Sequence, residues 1–200
     1  ALKIYKKHND KSLASKVSVY SESQKKILIK SGIINHKKIF VNGIPRCDYS
    51  FRLRKIKPKG KLIVYYMIEA DRNSNILIKN KNINWKKLYN QTLEYIVSFA
   101  KQNPDCKIIL KGKTGIHIKY FKSENLPNNC IFIDGGTGDK FLKDANVVIA
   151  FNSTIVFEAI ASNRNLIIPN FNDEKNFRKK FLHNIKNNKY FVNDKKQFDK

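Results

Sequence analysis

The chain is predicted to fold as an α/β protein built on a doubly wound parallel sheet, and three observations predict it. From residue 61 to Pro169, short apolar runs of strand length alternate with stretches of helical period. Three of those runs are followed by turns rich in glycine, hydroxyl or amide groups: Gly112-Lys113-Thr114-Gly115, Gly135-Gly136-Thr137-Gly138 and Asn152-Ser153-Thr154. The stretch from Asn146 to Pro169 reads strand, polar turn, helix and strand, which is one right-handed βαβ unit.

The elements follow in order. Residues 16–20 alternate and are β-branched, as a short strand requires. Ser21 and Gln24 fit a capping box, Ile27, Leu28 and Ile29 are expected to face inward, and Gly32 is placed to stop the helix. Residues 38–43 form the next strand, ending in the turn Gly43-Ile44-Pro45-Arg46. Residues 1–50 are therefore expected to be the end of one α/β domain. Residues 51–60 are basic, contain Pro58 and Gly60 and lack a steady period, so they are predicted to be an exposed interdomain linker. Residues 61–200 form the second domain.

Within it, 61–68 is a buried-strand run and 69–84 a polar loop. Residues 85–102 are helical, with Leu88, Thr92, Tyr95, Ile96 and Phe99 on one face, and Asn103-Pro104-Asp105 ends them. Strands are expected at 106–111, 130–134, 147–151 and 166–169, and helices at 139–145, 155–162 and 177–185. A last extended piece covers 190–192.

The formal net charge of +24 suggests an anionic partner. Lys, Asn and Ile dominate while Arg, Ala and Gly are scarce, and the lysines are spread without a basic block, which is the pattern of AT-rich coding. Direct nucleic-acid binding is not expected. Attraction of anionic substrates, or peripheral contact with acidic lipid headgroups, fits the diffuse field better. An apolar share of 42% supports a globular core, and no apolar run approaches the roughly 18 residues of a membrane span. A cytoplasmic location, at the inner face of the membrane if lipids are engaged, is the expectation. The chain has no initiator methionine and reads as a piece of a longer protein. Cys47, Cys106 and Cys130 lack the spacing of a zinc site or a disulfide framework.

The ligand edge of a parallel sheet lies at the carboxyl ends of its strands. Lys111 and Lys113 follow one strand there, where lysines can pair with phosphates. Gly112-Lys113-Thr114 lacks the glycine spacing of a phosphate-binding ATPase loop, and Gly135, Gly136 and Thr137 lack that of a dinucleotide fingerprint. Asn152, Ser153 and Thr154 open a helix and can serve either as caps or as phosphate ligands. Glu158 lies one turn on from Thr154 among apolar neighbours, so its carboxylate must reach the edge or be desolvated. His8, His36, His117 and His183 stand apart, and only His117 follows an edge loop. No Asp-x-Asp or His/carboxylate cluster suggests a metal.

Taken together these residues resemble the GT-B glycosyltransferases that build bacterial surface carbohydrate such as capsule and lipopolysaccharide. S-E-S-Q-K-K-I-L-I-K-S-G-I-I with K-I-F-V-N-G-I-P-R-C-D resembles the last helix and strand of their N-terminal domain. The elements through L-K-G-K resemble the start of the nucleotide-binding domain, and F-N-S-T-I-V-F-E-A-I-A-S-N-R-N-L-I-I-P its nucleotide-sugar segment. Asn163-Arg164-Asn165 stands where that family has a glycine-containing turn. The resemblance implies a Rossmann-like C-terminal domain after a βα remnant of the N-terminal one. It also implies a metal-independent nucleotide-sugar site without a cofactor, and a carbohydrate or lipid-linked acceptor. Ser153 and Thr154 would meet the donor diphosphate, and Glu158 its ribose or sugar hydroxyls. Such a piece is expected to be inactive without the rest of the N-terminal domain. Sugar-nucleotide epimerases and polyol-phosphate transferases share the architecture, and a non-catalytic basic module binding anionic membrane or nucleic acid is the alternative outside it.

Overall fold

The computed structural model describes residues 14–70, 84–117, 121, 126–151, 153–171 and 188–199. The chain divides into two compact units, residues 1–48 and 49–200.

In the first unit, β1 (Val17–Val19) and β2 (Ile39–Val41) pair in parallel, with Val17 opposite Ile39. Helix α1 (Glu22–Ser31) joins them. The Ser21 hydroxyl accepts from the Gln24 amide at 3.3 Å, and the Gln24 side chain accepts from the Tyr20 amide at 2.8 Å. This is a capping box whose return bond reaches one residue further back than expected. Gly32 stops the helix in the left-handed region at φ 69°, where a side chain would be strained. Ile27 and Ile29 were expected to face inward, yet both are exposed and Leu28 is half-buried. Two three-residue strands offer too little apolar surface to cover that face.

The stretch 51–60 is not an irregular linker throughout. Helix α2 (Cys47–Arg52) runs into a 3-10 turn, Leu53–Lys55, and Leu53 is buried. What holds it is distant in sequence. The Arg164 guanidinium donates to the carbonyls of Ile56 at 2.9 Å and Leu53 at 3.3 Å, and also to Leu142 and Lys143.

The second unit is a parallel sheet of β3 (Leu62–Tyr66), β4 (Lys107–Lys111), β5 (Cys130–Ile133), β6 (Val147–Ile149), β7 (Asn165–Pro169) and β8 (Phe191–Val192). The strand order is β5-β4-β3-β6-β7-β8. Counted from β3, this is the 3-2-1-4-5-6 order of the Rossmann fold. Helix α3 (Trp85–Gln102) covers one part of the sheet, burying Leu88, Tyr89, Thr92, Ile96 and Ala100. Tyr95 and Phe99 are half-buried. Asn84 caps this helix, accepting from the Lys87 amide at 2.9 Å.

The βαβ unit predicted at 146–169 is present as β6, α4 (Ile155–Ala161) and β7. Asn163 takes a positive φ of 55° at the turn after α4, a conformation asparagine tolerates and glycine would take freely. Residues 139–141 form a 3-10 turn where a longer helix was expected, and a short helix, α5 (Lys195–Phe198), follows β8. The helix expected at 177–185 lies outside the described residues. Val64, Tyr65, Ile108, Leu110, Val148, Ile149, Val156 and Ile168 are almost fully buried and make the centre of the core.

Candidate functional site at the carboxyl edge of the sheet

Because all six strands run parallel, the turns after β3, β4, β5 and β6 leave the sheet at one edge. Chain order reverses at β3: β4 and β5 lie on one side of it, β6, β7 and β8 on the other. Open α/β sheets bind ligands in the crevice beside such a switch point.

Tyr66 ends β3 at that crevice. Its hydroxyl donates to the Gly138 carbonyl at 2.5 Å, tying the end of β3 to the loop after β5. Burial pushes the phenol up, and the carboxylates of Glu158 and Asp139 push in the same direction. The phenol therefore stays a neutral donor. Glu158 itself is 1% exposed, in a helix whose Ile155, Val156 and Ala159 are also buried. Of the two environments open to it, the carboxylate occupies the desolvated one, beneath the edge.

The loop after β4 is held from three sides. Lys111, expected to stand on the ligand edge, is buried, and its ammonium donates to the Gly112 carbonyl at 2.6 Å. Burial pulls its pKa down, with Lys140 acting in the same sense and Asp134 opposing. Lys113 is exposed, and its ammonium is ion-paired with Glu69 from the turn after β3. His117 is fully buried: its Nδ1 accepts the Lys113 amide at 3.0 Å, so the ring proton sits on Nε2, 3.2 Å from the Ile68 carbonyl. Burial holds its pKa below the usual histidine value. The ring is a clamp, with both nitrogens engaged, and not an available base. His36 lies in the 3-10 turn of the first unit, and His8 and His183 fall outside the described residues.

The loop after β5 is fitted against the same neighbours. Asp134 accepts the Gly115 amide at 3.0 Å on one carboxylate oxygen. Gly135 and Gly136 take φ values of 69° and 75°. A Cβ on Gly135 would also lie 2.6 Å from the Thr114 hydroxyl, so the two loops meet there through the Thr114 side chain. Gly136 and Thr137 are exposed.

After β6, Ser153 is half-buried and Thr154 exposed, while Asn152 is outside the described residues. Thr154 has helical angles, φ −60° and ψ −24°, and its side chain makes no capping bond. A capping residue needs extended backbone to turn its oxygen back onto the first amides. The cap reading of Thr154 is thus not realised.

The edge therefore collects Lys113, Gly135, Gly136, Thr137, Ser153 and Thr154 on neighbouring turns, and leaves Lys111 and Glu158 below it. Tyr66 and Asp134 were not foreseen there, and Glu69 and Gly138 were foreseen only as members of edge loops, without a role. An aspartate at the last position of a strand-like run was the available signal for Asp134, and Tyr66, inside a longer apolar run, gave none. Among the described residues no cluster of His, Cys, Asp and Glu could hold a metal ion, and no helix is long and apolar enough to cross a membrane. The cysteines are free; burial pushes the Cys130 thiol up to about 11.

No family model and no curated protein matches the chain. Among solved structures it is similar to a variant of the wall teichoic acid polymerase TagF, at 16% identity and a TM-score of 0.54, over 88% of this chain and 45% of that one. It is also similar to TarM, at 19% identity and a TM-score of 0.44, over 92% of this chain and 34% of that one. The likeness shows the fold, a Rossmann-like parallel sheet of the GT-B type. The chain spans less than half the length of the TagF structure.

Proposed function

We propose that this chain is the donor-binding portion of a nucleotide-sugar-dependent glycosyltransferase that builds surface polysaccharide or lipopolysaccharide. The observation that supports the reading is the gathering of the turns after β4, β5 and β6 on one sheet edge beside the switch at β3. In this reading the donor diphosphate lies along that edge. Lys113, the exposed Gly136 and Thr137, and the hydroxyls of Ser153 and Thr154 face it; the buried Gly135 shapes the turn, and Asn152 is assigned to the donor as a further ligand. Lys111 contributes from below, by fixing the Gly112 carbonyl. Glu158 forms the floor and receives the ribose or sugar hydroxyls that reach past Tyr66.

Catalysis by such a half consists of orienting the donor and stabilising the leaving diphosphate, without a cofactor or metal of its own. The acceptor, a carbohydrate or lipid-linked chain, and the catalytic base belong to the preceding domain in this reading, so the 200-residue chain alone binds donor and does not turn it over. The strongly basic surface would hold the protein near acidic headgroups at the inner face of the membrane.

A thermal-shift screen against nucleotides and nucleotide sugars tests the reading. A ligand at about 100 times its Kd adds roughly 2.7 kcal/mol, which is about 5–10 °C for a chain of this size. Stabilisation by a nucleotide-activated polyol phosphate and by no nucleotide sugar would move the assignment to a polyol-phosphate transferase. Steeply salt-dependent retention on anionic liposomes or nucleic acid, with no nucleotide effect, would replace it with a basic binding module.

A further inference from the structure

We infer that Glu69 is a resident competitor for the anion site, an autoinhibitory carboxylate held against Lys113 by the His117 clamp and displaced when a phosphate binds. The inference rests on the proposed donor site and names what regulates it. Lys113 is the exposed ammonium on the turn after β4, and in the free chain it is already paired with Glu69. The Glu69 side chain is 19% exposed against 58% for Lys113, so the carboxylate is the better-seated partner and the lysine the more accessible one.

The pairing is built into the backbone. Residues 69 and 113 come from different turns, 44 positions apart in sequence, and one buried imidazole ties the residue before the first to the second. His117 Nε2 donates to the Ile68 carbonyl, and Nδ1 accepts the Lys113 amide. The two side chains therefore start from backbone positions that cannot drift apart without breaking a bond inside the core. A phosphate carries more negative charge than a carboxylate and accepts more hydrogen bonds, so it can take Lys113 from Glu69. The exchange sets a threshold: a ligand that offers Lys113 no more than a carboxylate does gains nothing.

The test is calorimetric titration of the full chain with inorganic pyrophosphate, comparing wild type, Glu69→Gln, Glu69→Asp, Lys113→Met and Glu69→Gln combined with Lys113→Met. Solvent screens the exposed Lys113 end of the pair, so Glu69→Gln should tighten pyrophosphate only by roughly two- to five-fold. Glu69→Asp keeps the charge but shortens the reach, and should tighten it by less. In the Lys113→Met background Glu69→Gln should have no effect, because the competition runs through that ammonium. Asp139→Asn, which removes a carboxylate elsewhere on the edge, serves as the control for net charge and should change affinity less than Glu69→Gln.

Binding by Glu69→Gln alone, with none by wild type, would support the inference in its strongest form. Equal or weaker binding by Glu69→Gln, a gain that survives Lys113→Met, or an equal gain from Asp139→Asn would overturn it while leaving the donor site standing. Absence of binding by both wild type and Glu69→Gln would overturn the inference and the anion site together.

Discussion

His117 reaches Ile68 across 49 residues of sequence: its Nε2 lies 3.2 Å from the Ile68 carbonyl, inside the core. With Nδ1 accepting the Lys113 amide, the neutral ring joins the turns after β3 and β4. Protonation would place a hydrogen on Nδ1 against that amide and break the joint.

The sign of the pH dependence follows. Burial holds the folded pKa of His117 below its unfolded value, with Lys113 acting in the same sense and Glu69, Asp134 and the Ile68 carbonyl opposing. Below about pH 6.5 the unfolded chain binds more protons at this site than the folded one. The contribution of His117 is therefore complete above that pH and is lost as pH falls through the folded pKa. Thermal midpoints measured from pH 7.5 to 5 should decline in wild type, and the decline should be shallower in His117→Gln. Parallel curves would remove His117 from the acid response.

Arg164 makes a second prediction. The residue is 7% exposed, and its guanidinium donates to four carbonyls, those of Leu142, Lys143, Ile56 and Leu53. Arg164→Met leaves those acceptors without their donor and should cost roughly 3 kcal/mol or more, seen as about 6–12 °C in midpoint. Arg164→Lys keeps the charge but loses the planar fork, and should recover only part. Hydrogen exchange should quicken at Ile56, whose amide bonds to the Leu53 carbonyl.

That arginine also marks what the sequence could and could not reveal. Helix α3 was legible at Trp85–Gln102 because its apolar residues repeat every three or four positions up to a proline-bearing stop. The strands of the second unit were legible because buried parallel strands are continuous apolar runs. The stretch 51–60 was not, because Leu53 is its only buried residue and its ordering comes from Arg164, 111 positions away. Arg164 itself reads locally as a departure from a glycine turn. Asn163 supplies the positive φ there, which frees the next position for a long side chain. At the edge the loops were legible from their composition, but Glu69 was not, since its partner is set by tertiary approach alone.

The Gly135 contact bears on how closely the two glycine-bearing loops must meet. Gly135→Ala forces a side chain into the left-handed region and toward the Thr114 hydroxyl, and should cost about 1–2 kcal/mol. The hydroxyl can rotate away, so adding Thr114→Ala should restore little of the loss. Full restoration by Thr114→Ala would show that the contact, and not the backbone angle, is what the glycine serves.

Glu158→Gln separates a floor for hydroxyls from a purely structural acid. If the carboxylate accepts ribose or sugar hydroxyls, the substitution should weaken nucleotide affinity by roughly 10- to 150-fold through loss of charge-assisted hydrogen bonds. Gln is nearly the same size and shape, so the fold should remain nearly intact and the thermal midpoint should change little. Unchanged affinity for whichever nucleoside diphosphate binds would take Glu158 out of the site.

The donor-edge assignment is tested most directly by mapping amide chemical shifts while the full chain is titrated with a panel of nucleoside diphosphates. Saturable shifts should concentrate on the carboxyl edge, at Lys113, Thr114, Gly115, Gly135, Gly136, Thr137, Ser153 and Thr154. The amides of Cys106, Asn146 and Asn163, on the opposite edge, should stay still. Saturable shifts centred on that opposite edge, or no saturable shift with any member of the panel, would contradict the account.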